Sequence, residues 1–220
     1  MIREHKKARR RNNKTPPVPR SFVPVSRPHP AALELAIWPD PVLRTPAEPV
    51  PTAHGVDDWL GQVIARMIQL MRAHKGVGLA APQVGLPLRL FIMSQTGGTD
   101  EARAFINPVL VEQEGWEEAE EGCLSLPEVR GKISRYTRLK LLAIDSQGRE
   151  VAETLEGFPA RIVQHENDHL DGVLIIDRMS PMARVANRRK IRALEDKAQQ
   201  HTHDDTKGIR STGTVKSLSG

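Results

Sequence analysis

Proline is concentrated near one end of this chain, where eleven of its 17 prolines lie before residue 52. Proline fixes φ and has no backbone N–H to donate, so this region favours turns and extended chain over helices or inner strands. The regular elements of a core must therefore come mainly from the rest of the 220 residues. A chain of this length suggests one domain that buries a core without disulfides, and its single cysteine excludes an internal disulfide framework.

Charge divides the chain into an acidic body between two basic ends. Residues 1–30 carry nine Lys and Arg against one acidic residue, a net charge of +8, and they are rich in proline. Residues 31–180 carry 14 against 22, a net charge of −8, and residues 181–220 carry nine against four, a net charge of +5. We expect a disordered basic extension over 1–30, the folded domain over 31–180, and a basic helix with a disordered tail over 181–220.

Hydrophobic periodicity predicts an α+β domain between these ends. Apolar residues at 60, 63, 64, 67, 70 and 71 follow the i, i+3, i+4, i+7 spacing of a packed helix over 58–75. Helical spacing returns over 158–172, and a sparser apolar face predicts the basic helix over 180–200. Runs of β-branched and apolar residues predict strands over 88–93, 105–111, 134–145 and 149–157.

The same composition limits where the protein works. Mean hydropathy is −0.42 and no apolar run approaches about 18 residues, so we expect no membrane-spanning helix. Residues 1–30 lack the apolar segment of a secretory signal, and we expect a cytoplasmic protein. Because that segment is rich in arginine and poor in acids, organellar targeting is the minor alternative. A pI of 9.6 also suggests a nucleic-acid binder, but the acidic body argues against that as the main function.

The strongest chemical signal is the HExxH sequence from His165 to His169 on the second predicted helix. Residues four apart share one helical face, so both imidazoles can reach one metal ion with Glu166 beside them as a base. The five-residue pattern alone also occurs by chance, on charged helix faces that are exposed to solvent. The longer form with a third histidine is absent, because residue 175 is isoleucine. A third ligand is therefore expected upstream.

Cys123 supplies a candidate for that ligand. A buried, inert thiol is the common fate of a free cysteine. Five glutamates lie within the ten residues before it, and their charge disfavours a free thiolate. A divalent cation reverses this effect, and one thiolate with two neutral histidines leaves a fourth tetrahedral position open, as in catalytic sites. A nucleophilic Cys–His pair remains the competing interpretation.

A third segment, GVGLAAPQVG over 76–85, has glycines that let the backbone approach a ligand closely. Taken alone, it is more typical of a helix end and turn before a strand. It lacks the Gly-Lys-Ser/Thr ending of a phosphate loop. Gln83 is its one member with an amide donor.

In this order, GVGLAAPQ, EGCLSLP and QHENDHLDG resemble the three signature motifs of peptide deformylases, and WPDPVLRTPAEPV resembles the beginning of that fold. The resemblance covers about residues 33–180. It implies an α+β fold in which small mixed or antiparallel sheets pack around a central helix that carries HExxH. It also implies removal of the N-formyl group from formyl-methionine on nascent polypeptides, with release of formate. An HExxH metallopeptidase is the alternative function.

The resemblance assigns roles to individual residues. It implies that Cys123, His165 and His169 are the metal ligands and that Glu166 is the general acid/base. It further implies two oxyanion donors, Gln83 and the backbone N–H of Leu124. For substrate binding it points to Gly78, Val77, Arg130, Phe158 and Ile162, although core packing or a surface charge would explain the last four equally well.

The resemblance also implies a cofactor and partners. The ligand set suits Fe²⁺, Zn²⁺, Co²⁺ or Ni²⁺ rather than Mg²⁺ or Ca²⁺, and the family resemblance favours Fe²⁺ with the others able to substitute. The expected partners are formyl-methionyl nascent peptides and the ribosome, which the basic ends would contact, and the expected state is a monomer. Arg161, one turn before His165, must either point outward or pair with an acid, and the sequence leaves that open.

Overall fold

The computed structural model describes residues 27–52, 55–95 and 101–210, with side chains described up to residue 200. It is an α+β fold, as predicted. The helices are α1 (Asp58–Ala73), α2 (Phe158–Leu170), α3 (Ile175–Arg178) and α4 (Pro181–Arg210). The strands are β1 (Gly78–Ala80), β2 (Leu90–Met93), β3 (Arg103–Glu114), β4 (Glu117–Cys123), β5 (Leu126–Arg135), β6 (Arg138–Ile144) and β7 (Glu150–Glu156).

Two antiparallel sheets surround α2. The larger sheet has the order β1-β2-β3-β6-β7, and β4 pairs only with β5 in the smaller one. Buried apolar residues on α2, including Val163 and Leu170, pack with Phe91 and Phe105 from the larger sheet. The prediction of small sheets around a central HExxH-bearing helix is therefore confirmed.

Helix α1 forms where the periodicity predicts it. All six residues of its apolar stripe are buried, and they pack with β1 and β2 in one core cluster. The Asp57 carboxylate accepts a hydrogen bond from the backbone N–H of Leu60 at 2.9 Å and caps the first turn. The chain leaves the helix through Lys75, whose φ is +55°.

One strand prediction is wrong. The expected strand over 134–145 is divided, because β5 ends at Arg135 and β6 begins at Arg138. Between them, the backbone N–H and C=O of Tyr136 bond to the Gln164 side chain on α2 at 2.9 and 2.8 Å. The Gln164 side chain thus takes the place of the hydrogen bonds between strands at this point.

Strands β4 and β5 are absent from the sequence-based expectations. Strand β4 is mostly glutamate, which local propensity disfavours in strands. In the structure three of its acids form ion pairs with basic residues on β5, Glu118 with Lys132, Glu120 with Arg130 and Glu121 with Arg135. Oppositely charged cross-strand pairs stabilise a sheet, but the pairing is visible only once the strands are side by side.

Helix α4 extends ten residues beyond the predicted end at residue 200. Its first half is fastened to the domain, since the Asn187 amide donates to Arg130 O and Lys190 Nζ to Glu128 O, each at 2.8 Å. Trp38 Nε1 donates to Glu195 Oε1 at 3.1 Å.

At the other end, residues 27–30 contact α1 although composition groups them with the basic extension. Arg27 pairs with Asp57 at 2.7 Å, and Trp59 Nε1 donates to Pro28 O at 3.0 Å. The expected disorder of residues 1–26 and 211–220 falls outside the described residues. Among the helices that are described, none is both long and apolar enough to cross a membrane.

Candidate metal centre and active-site cleft

Cys123, His165 and His169 converge on one point. Their potential ligand atoms all lie within 4.8 Å of one another, and Cys123 Sγ is 3.3 Å from His169 Nε2. Ligands that hold one ion at about 2.0–2.3 Å are separated by distances of this order. The donor set of one thiolate and two imidazoles also matches a transition metal. The residues present therefore fit a bound divalent ion.

Two local features aim these side chains. The histidines are four residues apart on α2 and lie on one face, with ring centroids 5.1 Å apart. Helix α2 begins sharply after Gly157, which has a φ of +61°. The ladder between β4 and β5 shifts register between Gly122 and Cys123. Such an irregularity re-aims a side chain, and here it lies at the cysteine that faces the histidines.

Glu121 fixes the orientation of His165. Its Oε2 lies 3.0 Å from His165 Nδ1, which leaves Nε2 for a metal ion. Burial alone would raise the pKa of this carboxyl, but hydrogen bonds from His165 and Arg135 outweigh it and lower the pKa to about 2. From the sequence alone, Glu121 is recognised only as one of five negative charges near Cys123. Its position two residues before the cysteine, on the same strand face, was the available signal.

A buried charge network surrounds Glu121. Arg135 donates to both of its carboxylate oxygens at 3.0 Å, and Arg161 donates to Oε1 at 2.8 Å. Arg135 also binds Asp168, which Arg178 holds from the other side at 2.6 Å. The open question about Arg161 is thereby answered, because it points inward and pairs with an acid. This network has no counterpart among the predictions from the sequence.

The two histidines differ in their electrostatic surroundings. At His165, burial lowers the pKa, but hydrogen bonds to Cys123 and Glu121 outweigh burial and hold the pKa well above its usual value. At His169, burial and the nearby charges of His165 and Arg135 hold the pKa well below its usual value. His169 Nδ1 is buried without a hydrogen-bond partner among the described residues.

Gln83 is held with its amide nitrogen toward the cysteine. Its Oε1 accepts from the backbone N–H of Ala80 at 2.8 Å, which fixes the amide orientation. Its Nε2 then donates to Ser125 Oγ at 3.2 Å and to Cys123 Sγ at 3.5 Å. Leu124 lies in the turn between β4 and β5, directly after the cysteine.

Glu166 is buried beside the ligand cluster. Its side chain fills the space that Gly78 leaves, because a Cβ on Gly78 would lie 2.2 Å from Glu166 Oε1. The second oxygen, Oε2, is buried and has no hydrogen-bond partner among the described residues. Burial is the main cause that raises the pKa of this carboxyl to about 7. The group can therefore both accept and release a proton near neutral pH.

A cleft of about 580 Å³ opens onto this centre. Phe158 stands half-exposed at its rim, whereas Ile162 is buried. Arg130 is exposed at the rim beside Glu120, at 3.7 Å. The structure thus brings all of the predicted site residues to one place. His169 is buried and belongs to the ligand cluster next to the cleft. The other predicted residues line the cleft: Val77, Gly78, Gln83, Cys123, Leu124, Arg130, Phe158, Ile162, His165 and Glu166.

Comparisons with known proteins agree with this geometry. Residues 32–185 match the family model for polypeptide deformylase. A peptide deformylase from Thermotoga petrophila is 48% identical over 158 residues, which cover 71% of this chain and 93% of that protein. The crystal structure of the Thermotoga maritima enzyme is 47% identical, with a TM-score of 0.63 over 68% of this chain and 98% of that one.

A plant peptide deformylase crystal structure is 33% identical, with a TM-score of 0.74 over 78% of this chain and 94% of that one. These matches do not favour the alternative of an HExxH metallopeptidase. The matched residues include all three motifs and every residue of the candidate site. The chain belongs to the peptide deformylase family, hydrolases that remove the N-formyl group from nascent peptides.

Proposed function

We propose that Cys123, His165 and His169 hold a divalent transition metal, in the first instance Fe²⁺, at the centre of a formyl-methionine deformylase. The convergence of the three ligand atoms within 4.8 Å supports this assignment. One thiolate and two imidazoles also accommodate Zn²⁺, Ni²⁺ or Co²⁺, so these ions should substitute. When bound, the ion lowers the pKa of water and stabilises negative charge on oxygen.

Glu166 is the general acid/base of the reaction. Its Oε2 is buried and has no hydrogen-bond partner among the described residues, and Glu166 lines the cleft next to His165, so it can accept the proton of the attacking water. The same carboxyl then returns the proton to the departing amine nitrogen of methionine, and formate is released. This assignment rests above all on one observation, the orphaned carboxylate oxygen at the ligand cluster.

Gln83 and the backbone N–H of Leu124 stabilise the oxygen of the formyl group as it gains negative charge. Preorganised donors are effective because they need no reorganisation during the reaction. The bond from Ala80 N to Gln83 Oε1 supplies that preorganisation, since it keeps Nε2 directed at the centre.

The first side chain of the substrate occupies an apolar pocket. Val77, Phe158 and Ile162 all line the cleft, and they suit the thioether chain of methionine. Gly78 lines the cleft and contacts the substrate through its own main chain, and Arg130 at the rim contacts the peptide beyond methionine.

Glu166→Gln tests the central assignment. The variant keeps the shape of the side chain and all three ligands, so metal content should stay stoichiometric by elemental analysis. Turnover of a formyl-Met-Ala-Ser peptide should fall by roughly 10²–10⁴-fold, the usual contribution of a general acid/base. Loss of the metal, or near-normal turnover, would show that Glu166 does not act in this way.

The protein works in the bacterial cytoplasm as a monomer and meets its substrate at the ribosome. The exposed residues Arg184, Arg188 and Arg192 on α4 offer a basic surface for ribosomal RNA. Changing Arg188 and Arg192 to Glu should weaken ribosome binding and reduce its salt dependence, without changing turnover of small peptides. Unchanged binding at low salt would mean that the basic charge is only solubilising.

A further inference from the structure

A second groove, of about 640 Å³, adjoins the active-site cleft. Its floor includes Ile37 and Trp38, and one of its walls is the α4 face that carries Arg189, Ala193 and Lys197. These α4 residues are spaced i, i+4 and i+8, so they form one stripe along the helix. Neither the family motifs nor the catalytic residues include this stripe.

The groove and the cleft share a border. Pro127 and Glu128, at the start of β5, line both of them. Glu128 lies inside β5 but has a φ of +63°, so the backbone departs from regular strand geometry at this border. Because the two spaces share these lining residues, they lie next to each other on the surface.

Hydrogen bonds between α4 and the rest of the domain fix the residues around the groove. Lys190 Nζ donates to Glu128 O at 2.8 Å, directly at the border. Trp38 is fixed from two sides, because its Nε1 donates to Glu195 on α4 at 3.1 Å and its backbone N–H to Ser125 O at 2.9 Å. The floor is therefore tied both to α4 and to the turn that follows Cys123.

We propose that this groove binds the downstream part of the formylated peptide, beyond the residues that the active-site cleft holds, and that it favours acidic side chains there. The α4 residues that line the groove, from 189 to 198, span about 13.5 Å at 1.5 Å per residue, a length that about four extended residues span at ~3.4 Å each. Arg189, Lys190 and Lys197 line the groove together with Glu128, and the carboxylate of Glu195 lies against Trp38, so basic residues outnumber acids around it. The apolar floor contributes contact area, and the basic wall contributes the charge preference.

This inference rests on the proposed function, and the experiment separates the two. Formate release is measured with formyl-Met-Ala-Ser and with two longer peptides that extend it by four glutamates or by four lysines. All three are assayed with the metal-loaded, full-length protein at low salt. We expect kcat/KM to be about three- to fivefold higher for the acidic extension than for the basic one, and the ratio should shrink as salt rises.

A pair of charge reversals locates the effect. Arg189→Glu, inside the groove, should abolish or reverse the preference while leaving the rate with the short peptide unchanged. Arg188→Glu carries the same charge change on the same helix, but residue 188 does not line the groove, so this control should retain the preference. Equal kcat/KM for the two extended peptides, or equal effects of the two variants, would overturn the proposal.

Two further outcomes are informative. If Arg189→Glu reduces ribosome binding as strongly as Arg188→Glu but leaves the peptide preference intact, the groove belongs to an RNA-binding surface and the proposal is wrong. If the short peptide releases no formate at all, the proposed function is wrong. If the short peptide is deformylated but the two extended peptides react equally well, only the proposed role of the groove is wrong.

Discussion

Substituting Gly78 with alanine should disable the enzyme by displacing Glu166. The added Cβ would lie 2.2 Å from Oε1, 2.7 Å from Cδ and 2.9 Å from Cγ of Glu166. Ordinary contact begins at 3.4 Å, so the carboxylate must retreat by about 1.2 Å. Glu166 is only 4% exposed, and its buried surroundings leave little room for that movement.

The expected loss of activity follows from this displacement. A misplacement of about 1 Å in an active site can cost around 10²-fold, so kcat for formyl-Met-Ala-Ser should fall by about that factor. Metal content should be unchanged, because the three ligands are not touched. The matched control is Gly61→Ala on the exposed face of α1, where a Cβ meets nothing within 4 Å. This control should keep full activity and gain up to about 1 kcal/mol of stability.

A double variant identifies the mechanism. If Gly78→Ala acts through Glu166, then adding it to Glu166→Gln should cause no large further loss, since the group it displaces is already inactive. If the loss of kcat in the double variant equals the product of the two single losses, this reasoning is refuted. That result would point to a direct clash between the added methyl group and the substrate. Retention of normal kcat in the single variant would refute it as well.

Three other predictions concern the ligands and the stability of the fold. Cys123→Ser should lose metal on dialysis, because a hydroxyl is a much poorer soft ligand than a thiolate, and wild-type metal content by elemental analysis would exclude thiolate ligation. Arg161→Met should lower the free energy of unfolding in urea by about 3 kcal/mol, because it removes a buried partner of Glu121, and a change below ~1 kcal/mol would contradict this. Asp57→Ala should cost about 1 kcal/mol at pH 7 by removing the α1 cap. The cap bond to Leu60 and the pairing with Arg27 hold the pKa of Asp57 below 3.8. The stability difference between the wild type and Asp57→Ala should therefore persist above that pH and vanish as pH falls through the lowered pKa. A stability difference that is the same at pH 7 and pH 3 would refute the assignment.

The helices could be predicted from the sequence because their signals are local. The apolar stripe of α1 and the i, i+4 histidines of α2 each depend only on spacing within one element. The three ligands could also be named, since the motif resemblance joined Cys123 to the two histidines. The resemblance, and not periodicity, supplied the roles of Gln83 and Leu124.

The rest depends on contacts between distant parts of the chain. Strand β4 pairs its glutamates with basic residues on β5, and no local pattern in an acidic run predicts that pairing. The break after Arg135 follows from a side chain on α2, 28 residues later. The inward orientation of Arg161 follows from Glu121, 40 residues earlier. Long-range electrostatic partners of this kind become visible only when the fold is known.

The most direct test of the account is formate release from formyl-Met-Ala-Ser by the metal-loaded protein, measured beside the unformylated peptide and after treatment with a chelator. We expect stoichiometric formate from the formylated peptide and no cleavage of Met-Ala-Ser. We also expect loss of activity on chelation and recovery when Fe²⁺ is returned under anaerobic conditions. Hydrolysis of the unformylated peptide bond, or formate release that survives complete metal removal, would contradict it.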